Sequence, residues 1–313
     1  MPVKSIMRSI HSTETQLIVL APKATIVPGT FRYVNQNEVL HRSLLAELQR
    51  LRGSVYLHDG AITPWELTQD NRHAPAVDEE SWHVLSLDRQ GKVCACLRFL
   101  EESGAEFDEL CVRHSAVAHC ATWGQKFRRA IEFQMSRAQA DRLRFGEVGG
   151  WAISEARRWT VEALRVILAT YGLLQLLGGC VGVATATLRH ESALILRRIG
   201  LWPMAVEGVA LPPYYDDHYH CQMEVLQFDS RLPNSKYINW ILELGSYLST
   251  TPVICPERAP EPLTLGGLRH VEPGHSLGAK RQQRLERYLP SRCLPKVGKP
   301  GRKIVLVDEV LVS

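Results

Sequence analysis

Glu147-Val148-Gly149-Gly150-Trp151-Ala152-Ile153-Ser154-Glu155-Ala156-Arg157-Arg158 lies near the middle of a 313-residue chain and sets how the rest is read. Residues 145–153 read as an extended run, and paired glycines inside a strand signal a bulge or a close backbone approach. Ser154 can cap a helix running to about Leu177, in which Arg158, Glu162 and Arg165 form a thin polar stripe on an otherwise apolar cylinder. A helix starting there offers free N–H groups and the cations Arg157 and Arg158 to an anion such as phosphate. A kinked strand followed by an arginine-paired helix end fits the same residues equally well.

Downstream, residues 166–188 carry no charge and are long enough on paper to cross a bilayer. Gly172, Gln175 and Gly178-Gly179 divide them into a helix end, a turn and a β-branched strand at 180–187, so a buried helix and a buried strand are expected. A short helix at 190–199 should end at Gly200, followed by an aromatic loop at 212–220 and a strand at 221–228. Upstream, 38–51 sets Leu40, Leu44, Leu45, Leu48 and Leu51 on one helical stripe. Residues 81–87 and 92–100 read as a hairpin closed by Asp88-Arg89-Gln90-Gly91. Residues 117–143 read as one long helix with Trp123, Phe127, Ile131 and Met135 in register. This order predicts an α/β (α+β) fold, a mixed sheet with helices on its faces. The boundaries expected are an N-terminal extension at 1–36, a folded domain at 37–258 and a tail at 259–313.

At 45% hydrophobic and 22% charged residues, the chain has the composition of a soluble globular protein that needs no metal or disulfide to hold it together. None of its eight cysteines forms a C-x-x-C pair, so they read as reduced, mostly buried thiols. Cys111, His114, His119 and Cys120 lie close in sequence without a recognised ligand spacing, and His218 and His220 could chelate but lack a third ligand; no metal is expected. No signal-like apolar core opens the chain, which points to the cytoplasm. The net charge of +4 is uneven: from Ala259 onward ten Lys and Arg face five Asp and Glu. This proline-rich tail reads as a solvated appendage that allows peripheral contact with an anionic inner-membrane surface, with nucleic acid not the expected partner. Signatures of dinucleotide binding, P-loops, zinc proteases and serine hydrolases are all absent.

The element order and several segments over roughly 36–250 resemble the GNAT-type acyltransferases, specifically the N-acyl amino acid synthase branch related to the acyl-homoserine-lactone (autoinducer) synthases. The resemblance rests on Arg52-Gly53-Ser54-Val55-Tyr56, on Asp78 ahead of Trp82-His83-Val84-Leu85-Ser86-Leu87-Asp88, and on Leu97-Arg98. It rests further on Glu147 through Ile153 and on Ala184-Thr185-Ala186-Thr187-Leu188-Arg189-His190. It implies a GNAT-like central sheet whose splayed middle strands grip the pantetheine arm of an acyl thioester, with an amine attacking the thioester carbon.

Transfer of a long acyl chain from an acyl carrier protein, or from coenzyme A, to an amino acid or related amine is therefore expected, with the thioester as co-substrate and no permanently bound cofactor. The coenzyme A pyrophosphate signature is missing, Ser154-Glu155-Ala156-Arg157-Arg158 standing in its place, which favours the carrier protein. Glu147 is the expected base, since a carboxylate on a central strand is desolvated. Arg98 is assigned to anion recognition at the reacting centre and His190 to an alternative proton acceptor. On the acceptor side the resemblance implies Arg52, Asp78, Trp151, Arg189, Tyr214 and Tyr215, and on the donor side Ala152, Ile153, Arg157 and Arg158. Two other readings stand beside this one: an autoinducer-type lactone synthase, and a non-catalytic acyl or acyl-carrier binding protein in which Glu147 is structural.

Overall fold

A computed structural model describes residues 14–256. The basic tail assigned to 259–313 and the first thirteen residues lie outside the described residues. The chain runs β1 (Thr15–Leu20), β2 (Val34–Gln36), α1 (Glu38–His58), β3 (Ser81–Asp88), β4 (Val93–Glu101), α2 (Gly124–Ala140), β5 (Arg144–Ile153), α3 (Glu162–Leu176), β6 (Cys180–Thr187) and α4 (Ser192–Ile199). Short strands follow at β7 (Trp202–Pro203), β8 (Ala205–Val206), β9 (Val209–Ala210) and β10 (Tyr214–Asp216), then β11 (Cys221–Asp229), α5 (Ile238–Ser249) and β12 (Val253–Cys255).

One sheet takes ten of these strands in the order β10-β11-β6-β5-β4-β3-β1-β12-β2, with β7 on β11, while β8 and β9 pair separately. β5 is antiparallel to β4 on one side and parallel to β6 on the other. The β5–β6 ladder ends at Val148–Ala184. Beyond that pair β5 stays with β4 and β6 stays with β11, so the two middle strands part like a fork. This is the mixed, splayed sheet that the resemblance implies.

Two faces are buried differently. α3 is enclosed between the sheet and α5, with Val166 to Leu174 buried almost without interruption. A side-chain carbon on Gly172 would stand 2.8 Å from the Gly245 nitrogen, so only glycine allows the two helices to cross this closely. Within the polar stripe at its start, the buried Glu162 and Arg165 pair with each other; Glu162 also accepts from Thr15 and Ser86, and Arg165 donates to Thr15. The opposite face is shared: α1 covers a cluster with Ile18, Leu85, Cys96 and Ala152, and α2 covers one with Phe145, Val181, Val183 and Val225. The irregular segment 102–120 adds Phe107, Leu110, Val112 and Val117 to the α2 cluster and reaches Glu147 of β5 through the Cys111 and Val112 N–H groups.

The hairpin, the strand at 180–187 and the helix ending at Gly200 form as expected. Three expectations are corrected. The boundary at 37 does not isolate an extension, because β1 is buried between β3 and β12, and β2 closes the sheet edge. Residues 117–123 are not α-helical: the chain makes single 3-10 turns at Phe107–Glu109, Cys111–His114 and Ala116–His119, and α2 begins at Gly124, packed too closely on the Ala118 carbonyl for any side chain. The helix after Ser154 starts only at Glu162. One turn at Glu155–Arg157 precedes it, and Trp159 holds a φ of 64° that a continuous helix cannot contain. Among the described residues no helix is long and apolar enough to cross a membrane.

Candidate active site

The paired glycines form the expected bulge. Cys96 faces Ala152 and Arg98 faces Gly149, so β5 fits three steps against two of β4, with Gly150 at a φ of 64°. The bulge begins at the fork, where β5 loses its partner β6. A side-chain carbon on Gly150 would stand 3.0 Å from Arg52 Nη1 and 3.3 Å from Arg98 Cβ, which explains why that position is glycine.

Beneath the bulge lies a sealed ionic cluster. Arg52 on α1 and Asp78 are each about 1% exposed. Arg52 binds both Asp78 oxygens through Nη1 and Nη2, and it donates from Nε to His73 Nδ1 (3.1 Å) and from Nη2 to the His73 carbonyl (2.7 Å). Asp78 also accepts from Gln49 Nε2 (3.0 Å) and from Arg98 Nη1 (3.3 Å). Burial by itself would raise the Asp78 pKa, but the Arg52 and Arg98 cations hold it well below the usual carboxylate range. His83 bonds the Asp78 carbonyl. Burial pushes the imidazoles of both His73 and His83 down to about 4, so both are neutral near pH 7. Burial likewise raises the Tyr56 hydroxyl, which donates to the Trp151 carbonyl at 3.4 Å. Arg52 and Asp78, expected to meet substrate, are buried and bound to each other; Asp78 also bonds Arg98, and Arg52 lies directly under Gly150. His73 and His83 carry no signal in the sequence because isolated histidines make no pattern.

Arg98 has capacity to spare. Its Nε is buried without a hydrogen-bond partner, and its Nη2 lies 3.7 Å from where a Gly149 side chain would begin. Leu100 faces Glu147 across the strands and Arg98 faces Gly149, so Arg98 and Glu147 project from the same face of neighbouring strands at the fork. The partly buried Glu147 carboxylate accepts from the Cys111 N–H (2.6 Å) and the Val112 N–H (3.3 Å). Ligand atoms of Glu102, Cys111 and Glu147 lie within 4.8 Å of one another, a grouping of far-separated residues that no sequence spacing signals.

The remaining assigned residues fall at the open end of the fork or beside it. Ala152 is buried against the α1 cluster, while Trp151 and Ile153 pack toward α3. Arg158 reaches Asp59 at the end of α1 (3.0 Å), Arg189 donates to the Asp59 carbonyl, and His190 Nε2 stands 3.6 Å from the Asp59 carboxylate. His190 therefore belongs to this rim, paired with Asp59. Arg157 turns away to Glu14. Tyr214 lies beside the α2 cluster, and burial raises its hydroxyl pKa; Tyr215 is half exposed. The loop after β10 is tied down by Asp216, which accepts from the His218 and Tyr219 N–H groups, and by His218 with Glu66 at 3.4 Å. His218 and His220 do not converge on a common point: the His220 carbonyl instead accepts from Arg189.

No protein-family model matches the sequence, and no curated protein matches it. Among solved structures, the chain is similar to a CoA-dependent acyl-homoserine lactone synthase, BjaI, solved with SAM and isopentyl-CoA: 14% identity over 79% of this chain and 95% of that one, TM-score 0.47. It is similar also to another CoA-dependent acyl-homoserine lactone synthase, MesI, at 14% identity over 77% and 98%, TM-score 0.45. A third is the synthase LasI, at 16% identity over 70% and 91%, TM-score 0.42. The chemistry is accordingly read from the site's own geometry.

Proposed function

We propose that the protein is an N-acyltransferase that moves an acyl group from a phosphopantetheine thioester, carried by an acyl carrier protein or by coenzyme A, to the amino group of an amino acid or related amine. One observation carries this reading. From Gly149 onward the β5 edge facing β6 has no strand partner, and Glu147 and Arg98 lie on one face of the neighbouring strands where that edge opens. An extended amide-bearing arm lies along such an edge as an added strand would, which brings its thioester to the fork.

A thioester is already activated, so little further is required of the protein. Glu147 accepts a proton from the acceptor ammonium, the free amine attacks the carbonyl carbon, and the new C–N bond forms as the C–S bond breaks. The oxygen that gains charge in between is met by the spare N–H capacity of Arg98. The thiolate leaves with the second amine proton. Incubation with long-chain acyl carrier protein and mixed amino acids should release free thiol in step with N-acyl products seen by mass spectrometry. Thiol that never rises above background would sink the reading.

A further inference from the structure

Asp59 is the C-terminal cap of α1, and Gly60 follows it at a φ of 67°. Three elements converge on it. Arg158, beyond the end of β5, donates from Nη2 to both Asp59 oxygens (3.0 and 3.3 Å); Arg189, beyond the end of β6, donates from Nη1 to the Asp59 carbonyl; His190 stands 3.6 Å from the carboxylate. The strands that diverge at Val148–Ala184 are thus tied together again across their open end by one acidic residue. Of the eight non-glycine residues with positive φ among the described residues, four belong to the loops around this tie: Trp159, His190, Glu191 and His220. His220 also takes the second Arg189 donor on its carbonyl. Backbone held in sparsely populated conformations is expected where surrounding contacts fix a functional arrangement.

Arginine cannot shed its charge, so two guanidinium groups at one mouth require an anion. Asp59 and the carbonyls at the negative end of α1 supply it from within the protein. We propose that Asp59 is a built-in stand-in, its carboxylate keeping Arg158 and its backbone carbonyl keeping Arg189 occupied, until a phosphate group of an incoming ligand displaces it. The proposal rests on the acyl-transfer reading for its choice of ligand, since phosphopantetheine and coenzyme A both carry phosphate next to the arm that the fork would hold. Phosphate offers more acceptor oxygens and charge than one carboxylate, and matches the guanidinium fork at least as well. The Arg158 and Asp59 side chains retain 27% and 17% exposure, so an anion can reach them from solvent.

The test is calorimetric titration of the full chain at low ionic strength with inorganic pyrophosphate and, separately, with coenzyme A. Asp59→Asn should bind pyrophosphate about three- to tenfold more tightly than the unaltered protein, and Arg158→Gln and Arg189→Gln more weakly. Tightening with both ligands assigns the latch to the donor arm; tightening with pyrophosphate alone assigns it to a free anion. Equal or weaker binding by Asp59→Asn overturns the proposal. Should that variant not fold, hydrogen exchange in the unaltered protein decides between the outcomes. Saturating pyrophosphate should speed amide exchange at Gly60 and Ala61, whose N–H groups close the last turn of α1, and unchanged exchange overturns the latch. Because pyrophosphate carries no acyl group, a working latch with no acyl transfer would refute the enzymatic reading alone.

Discussion

The Arg52–Asp78 cluster and the Asp59 tie are built from the same parts, arginine against a carboxylate with a histidine nearby, yet they do opposite jobs. In the first the ion pair is about 1% exposed and every polar atom of Arg52 is bound. In the second the partners remain open to water. Burial decides the role: a sealed pair fixes a backbone, whereas a wet pair can be exchanged for a ligand. Glu147 stands between the two, partly buried and anchored by backbone N–H groups.

The comparison breaks most visibly at Asp78. Asp78→Asn leaves Arg52 and Arg98 without their buried counter-charge and should destabilise the fold by about 3–5 kcal/mol in urea unfolding. Little loss would mean that the cluster is not sealed. Glu147→Gln should do the reverse, lowering the rate of acyl transfer by about 10²-fold or more with the melting temperature nearly unchanged. An active Glu147→Gln protein would return Glu147 to a structural role.

The pH dependence of stability sharpens the contrast further. His73 and His83 titrate in the folded protein at about 4, below the ordinary value of 6.5, so the unfolded chain binds protons first as the medium is acidified. Their contribution is complete above pH 6.5 and is lost as pH falls from 6.5 toward 4. The depressed carboxyl of Asp78 then takes over, its contribution eroding below its unfolded value of 3.8. Unfolding free energies measured from pH 7.5 to 3.5 should decline along this course, and a flat profile would contradict it.

Smaller effects separate neighbouring glycines. Gly150→Ala forces a side chain at positive φ into Arg52 and Arg98 and should destabilise by about 1–2 kcal/mol. Gly149→Ala meets only Arg98 Nη2 at 3.7 Å, so it should spare stability and act on catalysis. Last, Arg157→Gln removes an exposed pair with Glu14 and should change neither stability nor anion binding measurably.

What is legible in the sequence follows the reach of each signal. The hairpin is readable because Asp88 and Gly91 mark its turn locally, and Glu147 is placed on its strand by the run around it. β2 and β12 are not readable: at three residues each, they exist only through long-range parallel pairing. The start of α3 misleads because Ser154 has the chemistry of a cap but makes no side-chain capping bond, and Trp159 interrupts the helical path. The helix expected from Val117 fails because a 3.6-residue period does not distinguish successive tight turns from a helix when their apolar residues face the same core. At the site, the sequence shows residue types but not their company. Arg52 and Asp78 stand out as a charged pair of positions, while their burial against each other depends on α1 folding over the sheet.

The parallel pairing of β1 with β12 also has a consequence in time. Leu17, Val19 and Leu20 are fully buried, and β1 acquires β3 as a neighbour early in synthesis, but its other edge waits for Val253 and Ile254, almost the last described residues to be made. Until the chain has emerged to that point, the nascent sheet presents an open, apolar strand edge to the cell. Chains ending before residue 253 should therefore accumulate as aggregates, which makes the strand that completes the sheet the checkpoint of its biogenesis.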